Sequence, residues 1–237
     1  MLKLEWNLPN ILTILRVIIV PFFIYLLFDK TFSGRLTALI LFTIASITDL
    51  FDGYLARKWK QETEFGKFLD PLADKALVLG GFITFIFISD QIQIWMVLCI
   101  IGRDLLITML RSIAIRQGRS IRTSMFGKLK TVFQMFSIGL IIISFLMISY
   151  KERNVINELY HQAYLNGIDP WFVAFDNAIA FFQGTYKSVP YALASFVPYY
   201  LMLLTTLLTI VSGLRYLITN YELLLPKNLI SKKSNGS

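Results

Sequence analysis

One cysteine and one histidine are all that 237 residues offer. A single thiol, Cys99, excludes an intramolecular disulfide and any thiolate metal cluster, and its place inside an apolar run reads as packing. The lone His161 falls in a polar connection far from every acidic motif, which makes it an improbable catalyst. Charge is scarce too, at 16% Asp, Glu, Lys and Arg against 56% hydrophobic residues. That is too few charges for the surface of a water-soluble globule and too much apolar sequence for its core. The N-terminus lacks the ordered basic region, short apolar run and small-residue cleavage site of a signal peptide, so the first apolar run is expected to be a retained helix.

What is abundant is long apolar sequence. Spans are expected near residues 8–28, 35–56, 69–89, 92–115, 127–149 and 196–217, each close to the ~20 residues a bilayer requires. The expectation is an all-α, polytopic membrane helical bundle with six transmembrane helices. Six spans put both termini on one side. Lys58, Lys60 and Lys67, then Arg116, Arg119, Arg122, Lys128 and Lys130, then Lys227, Lys232 and Lys233 share that side, which the positive-inside rule makes cytoplasmic. The formal charge of +8 therefore belongs beside headgroups and phosphorylated substrates, and a nucleic-acid role is rejected.

The chain divides into a membrane core over 1–149, an extracytoplasmic insertion over 150–195, a last span over 196–220 and a basic cytoplasmic tail over 221–237. Within the insertion, the stretch from Ile168 to Phe182 is apolar and aromatic but short and interrupted by Asp169, Pro170, Asp176 and Asn177. It reads as an interfacial helix, with a re-entrant hairpin as the alternative. The tail reads as disordered.

Against this background four acids stand out, in the pattern Asp49-x-x-Asp52-Gly53-x-x-Ala56-Arg57, eight residues, Gly66-x-x-x-Asp70-x-x-x-Asp74. An ionised Asp at the bilayer centre costs roughly 2.5–3.5 kcal/mol, so four unpaired ones would cost about 10 kcal/mol. Asp49 and Asp52 are three apart and Asp70 and Asp74 four apart, so each pair shares a helix face. The short polar stretch between Arg57 and Gly66 makes the two helices antiparallel neighbours and brings the four carboxylates together. Four such acids raise one another's pKa unless cations intervene, and an all-oxygen set suits Mg²⁺ or Mn²⁺, one or two ions. Gly53 and Gly66 leave room for a backbone or a flat ligand, and Arg57 can meet a phosphate bidentately. Read singly, the glycines suit helix packing and Arg57 snorkelling; nine identities at fixed spacing do not.

That pattern matches in full the signature of the CDP-alcohol phosphotransferases, and the chain resembles this family from about residue 7 to about residue 149. Asn7 to Arg16, Gly102-Arg103-Asp104 through Leu110-Arg111, and Gly127 to Met135 look like the bacterial phosphatidylglycerophosphate synthases. The resemblance implies the CDP-alcohol phosphotransferase fold in a bacterial inner-membrane enzyme whose site faces the cytoplasm. It also implies that Asp49, Asp52, Asp70 and Asp74 hold two Mg²⁺ or Mn²⁺ ions, with Asp74 drawing the proton from the acceptor hydroxyl. Asp49, Asp52, Gly53, Ala56, Arg57, Thr63 and Gly66 would border the cytidine nucleotide of CDP-diacylglycerol. The implied acceptor is sn-glycerol 3-phosphate, the implied product phosphatidylglycerol phosphate with CMP, and the implied assembly a homodimer.

Arg103, Arg111, Lys128 and Lys130 are the cations available for the acceptor's phosphate. Arg103 lies deep in its apolar run and needs a partner; because i and i+1 side chains do not face each other on a helix, a bound phosphate is preferred here to Asp104. Lys128 and Lys130 read equally well as headgroup anchors. Asn10, Thr13 and Arg16 recur at three-residue steps and form one stripe of the first span, expected to face the site. Phosphatidylglycerol, inositol phosphate or serine as acceptor, the first of these making the chain a cardiolipin synthase, are the nearer alternatives. A divalent-cation transporter using the same acids is the more distant one.

Overall fold

A computed structural model describes residues 7–59, 64–116 and 125–220. Among the described residues the chain is helical throughout: α1 (Leu8–Leu27), α2 (Phe32–Trp59), α3 (Glu64–Ile88), α4 (Ile94–Arg116), α5 (Met125–Leu146), α6 (Tyr150–Leu165), α7 (Pro170–Phe182) and α8 (Val189–Thr219). α1, α2, α5 and α8 each contain a stretch long and apolar enough to cross a membrane. α3 and α4 occupy the remaining two expected positions.

The polarity of the bundle is that of a protein solvated by lipid. Phe22, Tyr25, Phe87, Val132 and Ile218 are exposed, whereas Asn10, Thr13, Arg16, Gln134, Thr205, Thr206 and Thr209 are buried. Hydrocarbon accepts the first set at no cost and gives the second set no hydrogen bonds.

The described residues fall into two compact units, one formed by residues 1–93 and 134–202, the other by 94–133 and 203–237. In the first, α1 packs along α2 and α3, with the rings of Phe23 and Phe42 5.5 Å apart. Asp29 and Thr31 start α2: the Asp29 carboxylate accepts from the Thr31 N–H at 2.8 Å, and the Thr31 hydroxyl accepts from the Gly34 N–H at 3.0 Å. These are the capping bonds that a helix needs for its orphan donors.

α8 also carries a defect that the rest of this unit repairs. Pro198 has no N–H to give to the carbonyl four residues earlier, Ala194. The fully buried Gln91 amide donates to that oxygen at 2.9 Å and to the Ser195 oxygen at 3.1 Å. The Tyr160 hydroxyl donates to the same Ser195 oxygen at 2.7 Å.

The insertion is more ordered than its sequence suggested. The stretch expected to form an interfacial helix is helical, as α7, a second helix, α6, precedes it, and α8 begins at Val189 rather than near Phe196. Hydropathy alone misses α6 because its residues are mostly polar. α6 starts with a reciprocal capping box between Ser149 and Glu152, and α7 starts at Asp169, whose side chain accepts from the Trp171 N–H. Both end at a glycine with positive φ, Gly167 at 71° and Gly184 at 74°, followed by a return bond, from Ile168 to Ala163 and from Thr185 to Ala180, each 2.9 Å. This is the Schellman closure, and only glycine enters it without steric cost. α7 rests its aromatic side chains against α8, with Trp171 edge-on to Tyr200 and Phe181 beside Phe196.

Candidate active site

α1 delivers three polar side chains to the interior of the first unit. Asn10, Thr13 and Arg16 lie on one stripe and are all buried, Arg16 completely. A guanidinium there requires a counter-charge. It has one in Asp49, the first aspartate of the motif, at 2.6 Å from Arg16 Nη1 to Asp49 Oδ1. The carboxylate of Asp49 remains about one quarter exposed, at 27%, so the pairing fixes its orientation without enclosing it.

From Asp49 the helical backbone of α2 continues through Asp52, Gly53, Ala56 and Arg57 to Trp59, and α3 carries Gly66, Asp70 and Asp74. α2 and α3 pack against each other. Asp52 precedes the end of α2 by seven residues and Asp70 follows the start of α3 by six; Asp49 and Asp74 are each ten residues from those ends. At 1.5 Å per residue the two inner acids lie about 10 Å along their helices from those ends and the two outer ones about 15 Å. The side chains of Asp52, Ala56, Arg57, Asp70 and Asp74, the residues Gly53 and Gly66 as ligand contacts, and Thr63 altogether lie outside the described residues. Among the described residues no group of three acidic, histidine or cysteine side chains is placed to hold a metal. The donor chemistry nevertheless fits a hard divalent ion: the set is all carboxylate oxygen, and its one described member is oriented by a buried cation, as ligands of such ions are.

The second unit carries a cluster of its own. Asp104 Oδ1 on α4 receives both Arg103, at 3.1 Å, and Lys130 of α5. Arg103 Nη2 donates to the Ser212 hydroxyl of α8 at 3.0 Å. A side chain on Gly213 would come within 2.9 Å of Arg103 Cγ, so the glycine makes room for the arginine stem. Two cations share one carboxylate, and Arg103 Nε is buried with no hydrogen-bond partner among the described residues.

This corrects the expectation that Arg103 could not reach its neighbour. Backbone directions do diverge at i and i+1, but a guanidinium on three methylenes folds back far enough to bond the adjacent carboxylate. Lys130 is buried and paired, so it is not a headgroup anchor. Arg111 is exposed on α4, and the Lys128 side chain lies outside the described residues. Ser212, Gly213 and the buried hydroxyls of Thr205, Thr206 and Thr209 were missed from sequence. Their signal is the three-to-four residue recurrence of small polar groups along α8, which ordinary helix packing also produces.

The long apolar helices, the buried polar stripe on α1 and the Arg16–Asp49 pair are those of a polytopic membrane protein. Residues 6–175 match the CDP-alcohol phosphatidyltransferase family, and the chain belongs to that family. It is 37% identical over 142 residues to the CDP-diacylglycerol–glycerol-3-phosphate 3-phosphatidyltransferase of Escherichia coli (strain K12), an alignment covering 57% of this chain and 76% of that protein. The proteins of the same name from Escherichia coli O157:H7 and Shigella flexneri serotype 5b (strain 8401) give the same identity and coverage. The chain is thus a multi-pass membrane transferase of phospholipid metabolism. The family match runs past residue 149, through α6 and into α7.

Proposed function

We propose that the protein transfers the phosphatidyl group of CDP-diacylglycerol to sn-glycerol 3-phosphate, giving phosphatidylglycerol phosphate and CMP. The observation that carries the reading is the Arg16–Asp49 pair, a contact that orients the first motif aspartate inside the helix bundle. A structural ion pair alone would not require the remaining motif residues in register on α2 and α3. The acceptor is supported by the names of the similar proteins and by Arg103 and Lys130, two cations brought together at Asp104 and of the kind that bind a phosphate dianion.

In this reading α1 to α5 and α8 are six spans, with the motif toward the cytoplasm, and the enzyme acts as a homodimer. When bound, one or two Mg²⁺ or Mn²⁺ ions at Asp49, Asp52, Asp70 and Asp74 supply charge neutralisation for the donor diphosphate. Arg16 holds Asp49 for that role. Gly53, Ala56, Arg57, Thr63 and Gly66 border the nucleotide, while Asn10 and Thr13 continue the buried stripe beside Arg16. Arg103, Arg111, Lys128 and Lys130 draw in the acceptor phosphate. Asp74 takes the proton of the acceptor hydroxyl as its oxygen attacks the phosphatidyl phosphorus. The bond from that phosphorus to the bridging oxygen breaks, and CMP leaves. No covalent enzyme intermediate is needed, so both substrates must be bound together.

The test is CMP release by purified protein given Mg²⁺, CDP-diacylglycerol and a panel of acceptors: sn-glycerol 3-phosphate, phosphatidylglycerol, inositol phosphate and serine. Release with glycerol 3-phosphate alone, abolished in a folded Asp70→Asn variant and by chelation, is the expected result. Release with another acceptor instead would reassign the substrate, and undiminished release by Asp70→Asn would overturn the mechanism.

A further inference from the structure

At the end of α2 remote from Asp49 lies a second group of cations, none of which forms an ion pair among the described residues, Asp29 acting on Arg35 only from a longer distance. Arg35 and Asp49 are fourteen residues apart on one helix, about 21 Å at 1.5 Å per residue. Arg153, in the first turn of α6, is only 5% exposed. Its Nε and Nη1 have no hydrogen-bond partner among the described residues. Instead the guanidinium carbon lies over two rings, 5.6 Å from the centre of Phe145 and 5.2 Å from that of Tyr150. Arg35, also buried, donates to the backbone oxygens of Phe145 at 2.5 Å, Ile148 at 3.2 Å and Lys30 at 2.7 Å, leaving its own Nε unpartnered. The Lys30 amine sits over the other part of the group, 5.0 Å from the Tyr150 ring.

The neighbouring acids are already engaged. Asp29 caps the Thr31 N–H, and Glu152 is held by Ser149 and by Lys187 at 3.0 Å. Burial, reinforced by the like charge of Arg35, lowers the Arg153 pKa to about 10, so the side chain stays charged at neutral pH. Ring faces offset part of the desolvation cost of a buried guanidinium, but they cannot accept its in-plane N–H bonds. An oxyanion can.

We propose that Arg153, Arg35 and Lys30 form a phosphate-binding site at the non-catalytic end of the first unit, built where the insertion helix α6 meets the start of α2 and the end of α5. Arg153 and Arg35 supply the buried floor, and the exposed Lys30 side chain, resting on the half-buried Tyr150 ring, moves aside to admit the anion and then pairs with it. The phosphate is that of an anionic phospholipid headgroup or of a small soluble ion; the chemistry at the arginines is the same.

The two sources separate in one experiment on the full-length protein. Thermal unfolding is followed in nanodiscs of phosphatidylcholine, in nanodiscs containing increasing phosphatidylglycerol, and in phosphatidylcholine with increasing inorganic phosphate, for the wild type, Arg153→Gln and Lys30→Gln. Stabilisation of the wild type by phosphatidylglycerol alone assigns the site to a lipid headgroup, and equal stabilisation by inorganic phosphate assigns it to a free anion. Either way the midpoint concentration should rise about tenfold in Arg153→Gln and about threefold in Lys30→Gln, as expected for loss of a buried and of an exposed charge-assisted bond. Lys30 is exposed, so its variant keeps the test open should Arg153→Gln not fold. No stabilisation of the wild type by either anion, or stabilisation that both variants retain in full, overturns the proposal. CMP release is a separate readout, and its outcome does not decide this one.

Discussion

The α1–α3 region and the α6–α7 insertion differ in how deeply their ion pairs are buried: Arg16, facing Asp49, is fully enclosed, whereas Lys187, facing Glu152, stands in the open. In the insertion every capping bond is local: Ser149 with Glu152, Asp169 with Trp171, Ile168 back to Ala163. In α1–α3 the decisive bond joins residues 33 apart in sequence, Arg16 and Asp49. Local bonds form wherever the chain is wet and define helix ends. A buried ion pair in a lipid-solvated bundle carries a desolvation cost, and under the proposed function this one lies where the chemistry takes place. The comparison predicts function to be sensitive in one region and only stability in the other.

The sharpest way to break that contrast is Asp49→Asn. It should lower CMP release on the order of a thousandfold, the scale of losing a preorganised charge at a phosphoryl-transfer site, while leaving the helix content by circular dichroism unchanged. Arg16→Gln should both destabilise and inactivate, because Asp49 loses the buried cation that orients it; a lower midpoint of thermal unfolding together with lost CMP release is the expected result. A variant that lost stability but kept full turnover would place the pair outside the site. Gln91→Leu tests the repair of α8, where leaving the Ala194 oxygen unsatisfied should cost about 2 kcal/mol with little change in KM. Smallest is Ser149→Ala, about 1 kcal/mol by thermal unfolding and no change in turnover.

The same cap gives a pH signature. Hydrogen bonds from the Ser149 N–H, then from Lys187 and the Ser149 hydroxyl, lower the Glu152 pKa below its ordinary value of 4.5. The support it gives α6 is therefore complete above that ordinary value and lost as pH falls through the lowered one. Amide exchange in the first turn of α6 should accelerate on acidification, and Ser149→Ala, which removes one of the three bonds, should weaken that dependence.

The acid motif was legible as a helical pattern because spacing alone puts residues three and four apart on one face, and α2 and α3 are helices as that pattern expects, with Asp49 the one motif acid whose side chain is described. Sequence carried the membrane class for the same reason, since length and apolarity are one-dimensional. It failed where a long side chain overruled backbone direction, as with Arg103 and Asp104. It also failed at α6, whose only announcement is the pair Ser149 and Glu152 and the closing Gly167, signals that hydropathy ignores. The early start of α8 at Val189 was invisible because a span was sized to the bilayer and the helix is not; at 31 residues it is about 46 Å long, half as long again as the ~30 Å hydrocarbon core.

The carbonyl that Pro198 leaves open has a consequence for biogenesis. Its donor, Gln91, emerges from the ribosome more than 100 residues before its acceptor, and through that interval the amide lacks the two α8 oxygens it holds in the finished fold. Completion of α8 is then the event that closes the first unit, and nascent chains halted before it should be substrates for membrane quality control.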